Sequence, residues 1–120
     1  MNLPNKEKTF QFDHTSELGN KYEGSFTIVC SLNTGQRHRL ELEKSKLLCD
    51  QVNPTDGLLG LAVILSFLRV HIIDSPDWWK RSGGGLTIED EDALVALYNK
   101  AKETVETWKK EILEQAKSST

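Results

Sequence analysis

The sequence predicts an α+β fold in which an N-terminal antiparallel β-hairpin packs on a mainly helical body. Three observations support this class. Apolar and polar residues alternate along residues 8–15 and 22–32, as they do in half-buried strands. Residues 58–68 are almost continuously apolar, which predicts a buried central helix. Residues 90–117 carry one apolar face at helical spacing, which predicts a long C-terminal helix.

The composition fits a single domain over residues 1–120. Of the 120 residues 38% are hydrophobic, which is enough to bury a core without disulfides or metals. The net charge is −3, so no basic surface for nucleic acid or an anionic membrane is expected. Residues 1–8, MNLPNKEK, are expected to form a flexible lead-in. They lack the apolar stretch of a secretory signal, which predicts synthesis in the cytoplasm.

The predicted hairpin consists of a strand over Lys8–Thr15 and a second strand that begins at Tyr22. Residues 17–20, ELGN, supply the turn between them. The apolar residues of the second strand take even positions: Tyr22, Phe26, Ile28, Cys30 and Leu32. Gly24 interrupts this row, which indicates a bulge or a close approach of another part of the backbone.

The segment Gln36–Asp50 gives a mixed signal. Residues 37–42 fit either a third strand or a helix, whereas Leu40, Leu47 and Leu48 share a helical face. We predict a helix for the second half and leave the first half open. Residues 51–57 are expected to form a loop, because Pro54 disfavours helix at the residue before it. Thr55 or Asp56 is placed to cap the next helix.

The central helix is predicted to begin near Leu58 and to end near Asp74. A membrane span needs roughly 20 apolar residues, and this run meets charged residues earlier, so the helix is expected inside the protein. Its core residues are predicted to be Leu61, Leu65 and Phe67.

A short helix should follow, with Ser75 as its cap and Pro76 in its first turn. This helix carries Trp78 and Trp79. Two readings stay open. One tryptophan closes the core while the other lies over the turn, or an exposed aromatic ring anchors a partner.

Residues 80–86 contain the sequence GGG and are predicted to form a flexible glycine-rich linker, because the setting and lysine of a phosphate-binding loop are missing. The helix over residues 90–117 follows. Its apolar seam comprises Leu94, Tyr98, Ala101, Val105, Trp108 and Ile112. The acidic residues 89–92 suit helix capping and the helix dipole. At 1.5 Å per residue the helix reaches roughly 40 Å, so its last turns are expected to extend beyond the globule.

The sequence contains no arrangement of residues that predicts catalysis. Cys30 and Cys49 are too few for a disulfide scaffold, and we interpret them as structural thiols. Three histidines are scattered without metal-ligand spacing. No nucleophile with a neighbouring base and no nucleotide-binding loop is present. We therefore expect a binding or assembly protein that is not an enzyme and has no cofactor and no metal.

Four features, in order, resemble the small tail-assembly proteins of long-tailed bacteriophages. They are Y-x-G-x-F at residues 22–26, L-R-V-x-I-I at 68–73, S-P-D-W-W at 75–79 and D-x-x-A-L-x-x-L-Y at 90–98. The resemblance covers Tyr22 to Trp108, and the polar residues after Trp108 have no counterpart in it.

The resemblance implies a tail assembly chaperone. Such proteins bind and solubilise the tape-measure protein, a long hydrophobic helical rod, in the host cytoplasm until tail-tube subunits polymerise around it. The alternative is a small structural component of the phage virion, such as a head, tail or baseplate subunit, which acts by protein–protein contacts.

Either role needs an apolar surface that contacts protein partners. We expect neither nucleic acid nor a membrane as a partner. The candidate contact residues are Trp78, Trp79, Tyr98, Val105, Trp108 and Ile112. We expect the distal part of the seam, from Val105 onward, to lie beyond the hairpin and central helix. It would then bury itself against a partner, such as the tape-measure protein, a tail-tube protein or another virion subunit, or against a second copy of the chain.

Overall fold

A computed structural model of the chain describes residues 6–49 and 53–118. Its strands are β1 (Glu7–Thr15), β2 (Lys21–Val29) and β3 (Ile72–Asp74). Its helices are α1 (Thr34–Leu48), α2 (Asp56–His71), α3 (Asp77–Arg81) and α4 (Glu91–Ser118). The strands form one antiparallel sheet in the order β1-β2-β3. The predicted α+β class, with its N-terminal hairpin and long C-terminal helix, is confirmed.

The hairpin presents one apolar and one polar face. Phe10 lies opposite Phe26 in the β1–β2 register, and both rings are buried. Phe12 lies opposite Gly24, where a Cβ would come within 2.6 Å of Pro76 Cγ. The close approach at Gly24 is thus made by the ring of Pro76 and not by backbone atoms, and the β1–β2 pairing is regular there. The register shift lies instead between β2 and β3.

The start of β1 shortens the predicted lead-in. Glu7 and Lys8 belong to β1, and residues 1–5 of the lead-in lie outside the described part of the chain. The predicted loop is described only from Asn53 onward. There Thr55 caps α2, because its Oγ1 accepts a hydrogen bond of 3.2 Å from the backbone N–H of Leu58.

The open region before residue 43 is helical, and the third strand lies elsewhere. Asn33 caps α1, and its side chain and that of Gln36 exchange hydrogen bonds with each other's backbone N–H groups. This box starts the helix at Thr34. The third strand is Ile72–Asp74, which the sequence assigned to the end of the central helix. Two consecutive β-branched isoleucines favour a strand over a helix here, and Ile72 pairs with Ile28 of β2.

The central helix is buried only in part, which corrects the sequence prediction. Leu65 is 5% exposed, but Leu61 and Phe67 are half-buried. Leu59 and Val63 are 40% and 37% exposed. The physical reason is that α2 packs on the core through one side, with Leu65 and Leu68, whereas Leu59 and Val63 lie on a side that the neighbouring elements cover only in part.

The core lies between the sheet, the inner side of α2 and the seam of α4. Its largest members include Phe10, Phe12, Phe26, Ile28, Leu65, Leu68, Trp79, Leu94, Leu97 and Val105. The helix α4 follows β1, and Lys8 Nζ lies 3.6 Å from a carboxylate oxygen of Glu111. Val105 is buried in the core and Trp108 packs against it, so this part of the seam contacts its own chain, contrary to the prediction. Leu113 beyond it is 62% exposed.

The glycine-rich segment forms hydrogen-bonded turns. The backbone N–H of Gly83 donates to Lys80 O over 3.1 Å, and that of Gly85 donates to Ser82 Oγ over 2.9 Å. Gly83, Gly84 and Gly85 all have positive φ, a conformation that favours glycine. Gly85 is buried. These hydrogen-bonded turns differ from the flexible linker that the composition predicted.

Candidate interaction surface

Two of the predicted contact residues lie inside the core. Trp79 is 5% exposed and Val105 is 7% exposed. The Trp79 ring packs on Phe26 with a centroid distance of 6.1 Å. These side chains already have their partners within the chain, so we exclude them from the candidate surface.

Trp78 is half-buried and fixes α3 on the hairpin. Its indole N–H donates to the backbone oxygen of Glu23 over 2.9 Å. Its ring lies 5.2 Å from that of Tyr22 and 5.6 Å from that of Phe26. The helix begins with Pro76 as its cap residue, so Ser75 does not cap it as predicted. The first of the two open readings fits this arrangement, because one tryptophan closes the core and the other covers the turn.

The remaining three predicted residues are half-buried along α4. Tyr98 makes an edge contact with Phe67 of α2 at a centroid distance of 5.2 Å. Trp108 lines a cavity of about 390 Å³ together with Cys30 and Phe67. Ile112 is half-buried near the end of the described seam. Of the three, Tyr98 and Trp108 border the space between α2 and α4.

Two separate cavities lie along one side of α2 and α4, with the contacting rings of Phe67 and Tyr98 between them, and we call this surface the α2/α4 groove. It is lined on α2 by Gly57, Gly60, Ile64, Phe67 and His71, and on α4 by Glu91, Val95, Tyr98, Lys102 and Lys109. Each set follows a spacing of three or four residues, or a multiple of it, so each lies on one face of its helix. The groove holds a cavity of about 390 Å³ at each end.

The first end of the groove combines an apolar wall with the carboxylates of Asp56 and Glu91. Val95 on its wall is 43% exposed. A neighbouring cavity of about 250 Å³ is lined by Leu58, Leu61 and Leu86, and Leu86 is 55% exposed. Exposed apolar surface of this kind, beside a concave site, is typical of protein interaction sites.

Two glycines on α2 open this end of the groove. A Cβ added at Gly57 or Gly60 would meet no atom within 4 Å. Glycine inside a helix costs about 1 kcal/mol relative to alanine. The packing of this chain does not require glycine at either position, whereas the close approach of another backbone would. Sequence reasoning missed this feature, although two glycines three residues apart in an apolar helix are visible in the sequence.

The second end of the groove combines aromatic rings with positive charge. Arg37 and Lys102 line it, and Lys102 Nζ lies 5.5 Å from the centre of the Tyr98 ring. Lys109 also lines it but pairs with Glu106 at 3.7 Å. Burial lowers the pKa of His71, which favours its neutral form.

Away from the groove, a buried carboxylate joins the hairpin to α4. Asp90 is 2% exposed and precedes the first residue of α4. Its Oδ2 accepts hydrogen bonds from the Tyr22 hydroxyl and, over 3.0 Å, from Asn20 Nδ2. These hydrogen bonds lower the pKa of Asp90. The hydrogen bond between Tyr22 and Asp90, together with burial, raises the pKa of Tyr22 to about 12.

The neighbouring Asp92 holds the turn of the same hairpin. Its Oδ2 lies 2.9 Å from His14 Nε2 and accepts the backbone N–H of Glu17 over 3.1 Å. The pKa of Asp92 is lowered, chiefly by the hydrogen bond with His14. The sequence predicted capping roles for residues 89–92 but not these hairpin contacts. Both carboxylates act as acceptors for β1, β2 and their turn, so we interpret them as a structural clamp.

No group of three or more His, Cys, Asp or Glu residues with metal-site geometry occurs in residues 6–49 and 53–118. In the same part of the chain, no helix has the length and apolar character needed to cross a membrane.

No family model, curated protein or solved structure matches this chain.

Proposed function

We propose that this protein binds an apolar helical segment of another protein in the α2/α4 groove and keeps that segment soluble. The observation that carries the proposal is the open apolar end of the groove, where Gly57 and Gly60 leave space beside the exposed Val95. An amphipathic helix that lies in such a groove buries its apolar face there.

The dimensions of the groove support a helical ligand. Residues 57–71 of α2 span about 21 Å at 1.5 Å per residue, so the groove accepts about four turns of a partner helix. Its middle is formed by Ile64, Phe67 and Tyr98, which are half-buried and offer apolar contact area. Aromatic residues in the centre of an interface contribute a large share of binding energy.

The proposed partner is the tape-measure protein of a long-tailed phage, and the proposed role is that of a tail assembly chaperone. The sequence motifs between Tyr22 and Trp108 supply this finer step. A tape-measure rod is a long hydrophobic helix, and helices of that kind fit the chemistry of the groove.

The test measures how much tape-measure protein of the same phage stays soluble when it is produced with this chain. Wild-type protein should keep the rod in the soluble fraction. Val95→Glu should lose this effect, because it places a charge on the apolar wall. Leu113→Glu is the matched control, because Leu113 is an exposed apolar residue of the same helix outside the groove.

Equal activity of wild type and Val95→Glu would show that the groove does not bind the rod. A wild-type protein that leaves the rod insoluble but is present in purified virions would favour the alternative, a small structural component of the virion.

A further inference from the structure

The two ends of the α2/α4 groove carry opposite charge. Asp56 and Glu91 line the first end, and both are exposed. Arg37 and Lys102 line the second end, and both are exposed as well. Among the described residues, none of these four side chains forms an ion pair. Each end therefore presents charge that is free to meet a ligand.

We propose that the groove selects an amphipathic helix with opposite charges at its two ends, basic residues beside Asp56 and Glu91 and acidic residues beside Arg37 and Lys102. This inference rests on the proposed function and deepens it by defining the partner. The charges at the two ends determine which helices bind, while the apolar middle supplies most of the affinity.

The spacing of the charged residues sets the spacing of the ligand. Glu91 and Lys102 are 11 residues apart on α4, which corresponds to about 16 Å or three helical turns. The apolar middle between them is made by Ile64, Phe67 and Tyr98. A matching helix therefore carries about three turns of apolar face between a basic and an acidic end.

The second end of the groove also has a donor that suits an acidic ligand residue. Arg37 offers a guanidinium group that suits a carboxylate in bidentate geometry. The single acidic side chain on this wall, Glu106, is held by Lys109 at 3.7 Å. The balance of the second end is therefore positive.

The test uses three designed peptides with the same leucine face and different ends. The dipolar peptide has lysines at one end and glutamates at the other, the acidic peptide has glutamates at both ends, and the basic peptide has lysines at both ends. Fluorescence anisotropy measures the affinity of the full-length protein for each labelled peptide. An exposed ion pair changes affinity modestly, so we expect the dipolar peptide to bind about tenfold more tightly than the other two at low salt.

The charge-reversed protein Arg37→Glu/Lys102→Glu has a groove that is acidic at both ends. It should bind the basic peptide most tightly, and this change of rank is not expected from a structural role of Arg37 or Lys102. The matched control is Lys46→Glu/Lys100→Glu, which changes the net charge equally at residues that do not line the groove and should keep the wild-type order.

The possible outcomes separate the inference from the proposed function. Equal binding of all three peptides overturns the charge selection and leaves the apolar groove in place. Binding of none overturns the groove and the selection together. If the wild type sediments as a dimer and the charge-reversed variant as a monomer, the occupant of the groove is a second copy of the chain. That result would overturn the proposal of a partner helix.

Discussion

Replacing Gly85 by alanine tests whether the glycine-rich turn is a packed part of the core. Gly85 has a φ of +95°. A Cβ at this position would lie 2.8 Å from Leu65 Cδ2 and 3.1 Å from Trp79 Cη2. A left-handed conformation costs an alanine about 1 to 2 kcal/mol, and overpacking a core costs about 1 to 3 kcal/mol. We therefore expect Gly85→Ala to lower the free energy of unfolding by about 2 to 5 kcal/mol.

Urea denaturation followed by tryptophan fluorescence measures this change. Gly60→Ala is the control with the same chemical change. Its Cβ would meet no atom within 4 Å, and it lies inside a helix. It should raise the free energy of unfolding by about 1 kcal/mol. Ordinary surface substitutions change the free energy of unfolding by up to about 0.5 kcal/mol. If Gly85→Ala changes it by no more than that, the packed turn is refuted and the flexible linker is the better description.

Three further predictions concern the core, the seam and the clamp. Leu65→Ala should cost about 2 to 5 kcal/mol, because it removes a buried side chain, and an unchanged urea midpoint would contradict this. Trp108→Ala should cost about 2 to 4 kcal/mol without changing the sedimentation coefficient, because the half-buried ring packs on its own chain. A changed oligomeric state with normal stability would reverse that reading. For Tyr22, the raised pKa means that the folded state keeps a proton that the unfolded chain releases from its usual pKa of 10.0. Stability should therefore fall as the pH rises from 10 toward 12, and Tyr22→Phe should lack this part of the fall.

The secondary structure was predictable where one local signal dominates. The alternation from Tyr22 to Cys30 defines a strand, and the seam of α4 defines a helix, because both patterns follow the repeat of a single element. The segment before residue 43 was ambiguous, because its leucines fit both the two-residue repeat of a strand and the repeat of a helix. The cap at Asn33 and Gln36 decides it, and this signal was present in the sequence.

The candidate site was less predictable, because exposure depends on how far neighbouring elements extend. The apolar run of α2 indicates burial, but Leu59 and Val63 are exposed on one side of the helix. Trp79 and Val105 have the composition of interface residues, yet the long β1 and the packed turn at Gly85 enclose them. Tertiary packing decides which faces of a helix are covered, and the spacing of apolar residues within the helix does not reveal it.

A steric block at Gly60 tests directly whether an apolar helix enters the α2/α4 groove. Gly60→Gln keeps the charge unchanged and improves helix propensity, so the protein should be at least as stable as wild type. Its side chain should fill the space at the first end of the groove.

The deciding measurement is the affinity of Gly60→Gln for the dipolar peptide by fluorescence anisotropy, with Ser45→Gln on the exposed side of α1 as the control. We predict that Gly60→Gln binds about tenfold more weakly than wild type, because its side chain blocks the first end of the groove, and that Ser45→Gln binds normally. Wild-type affinity in a stable Gly60→Gln protein would contradict the binding of a helix in the α2/α4 groove.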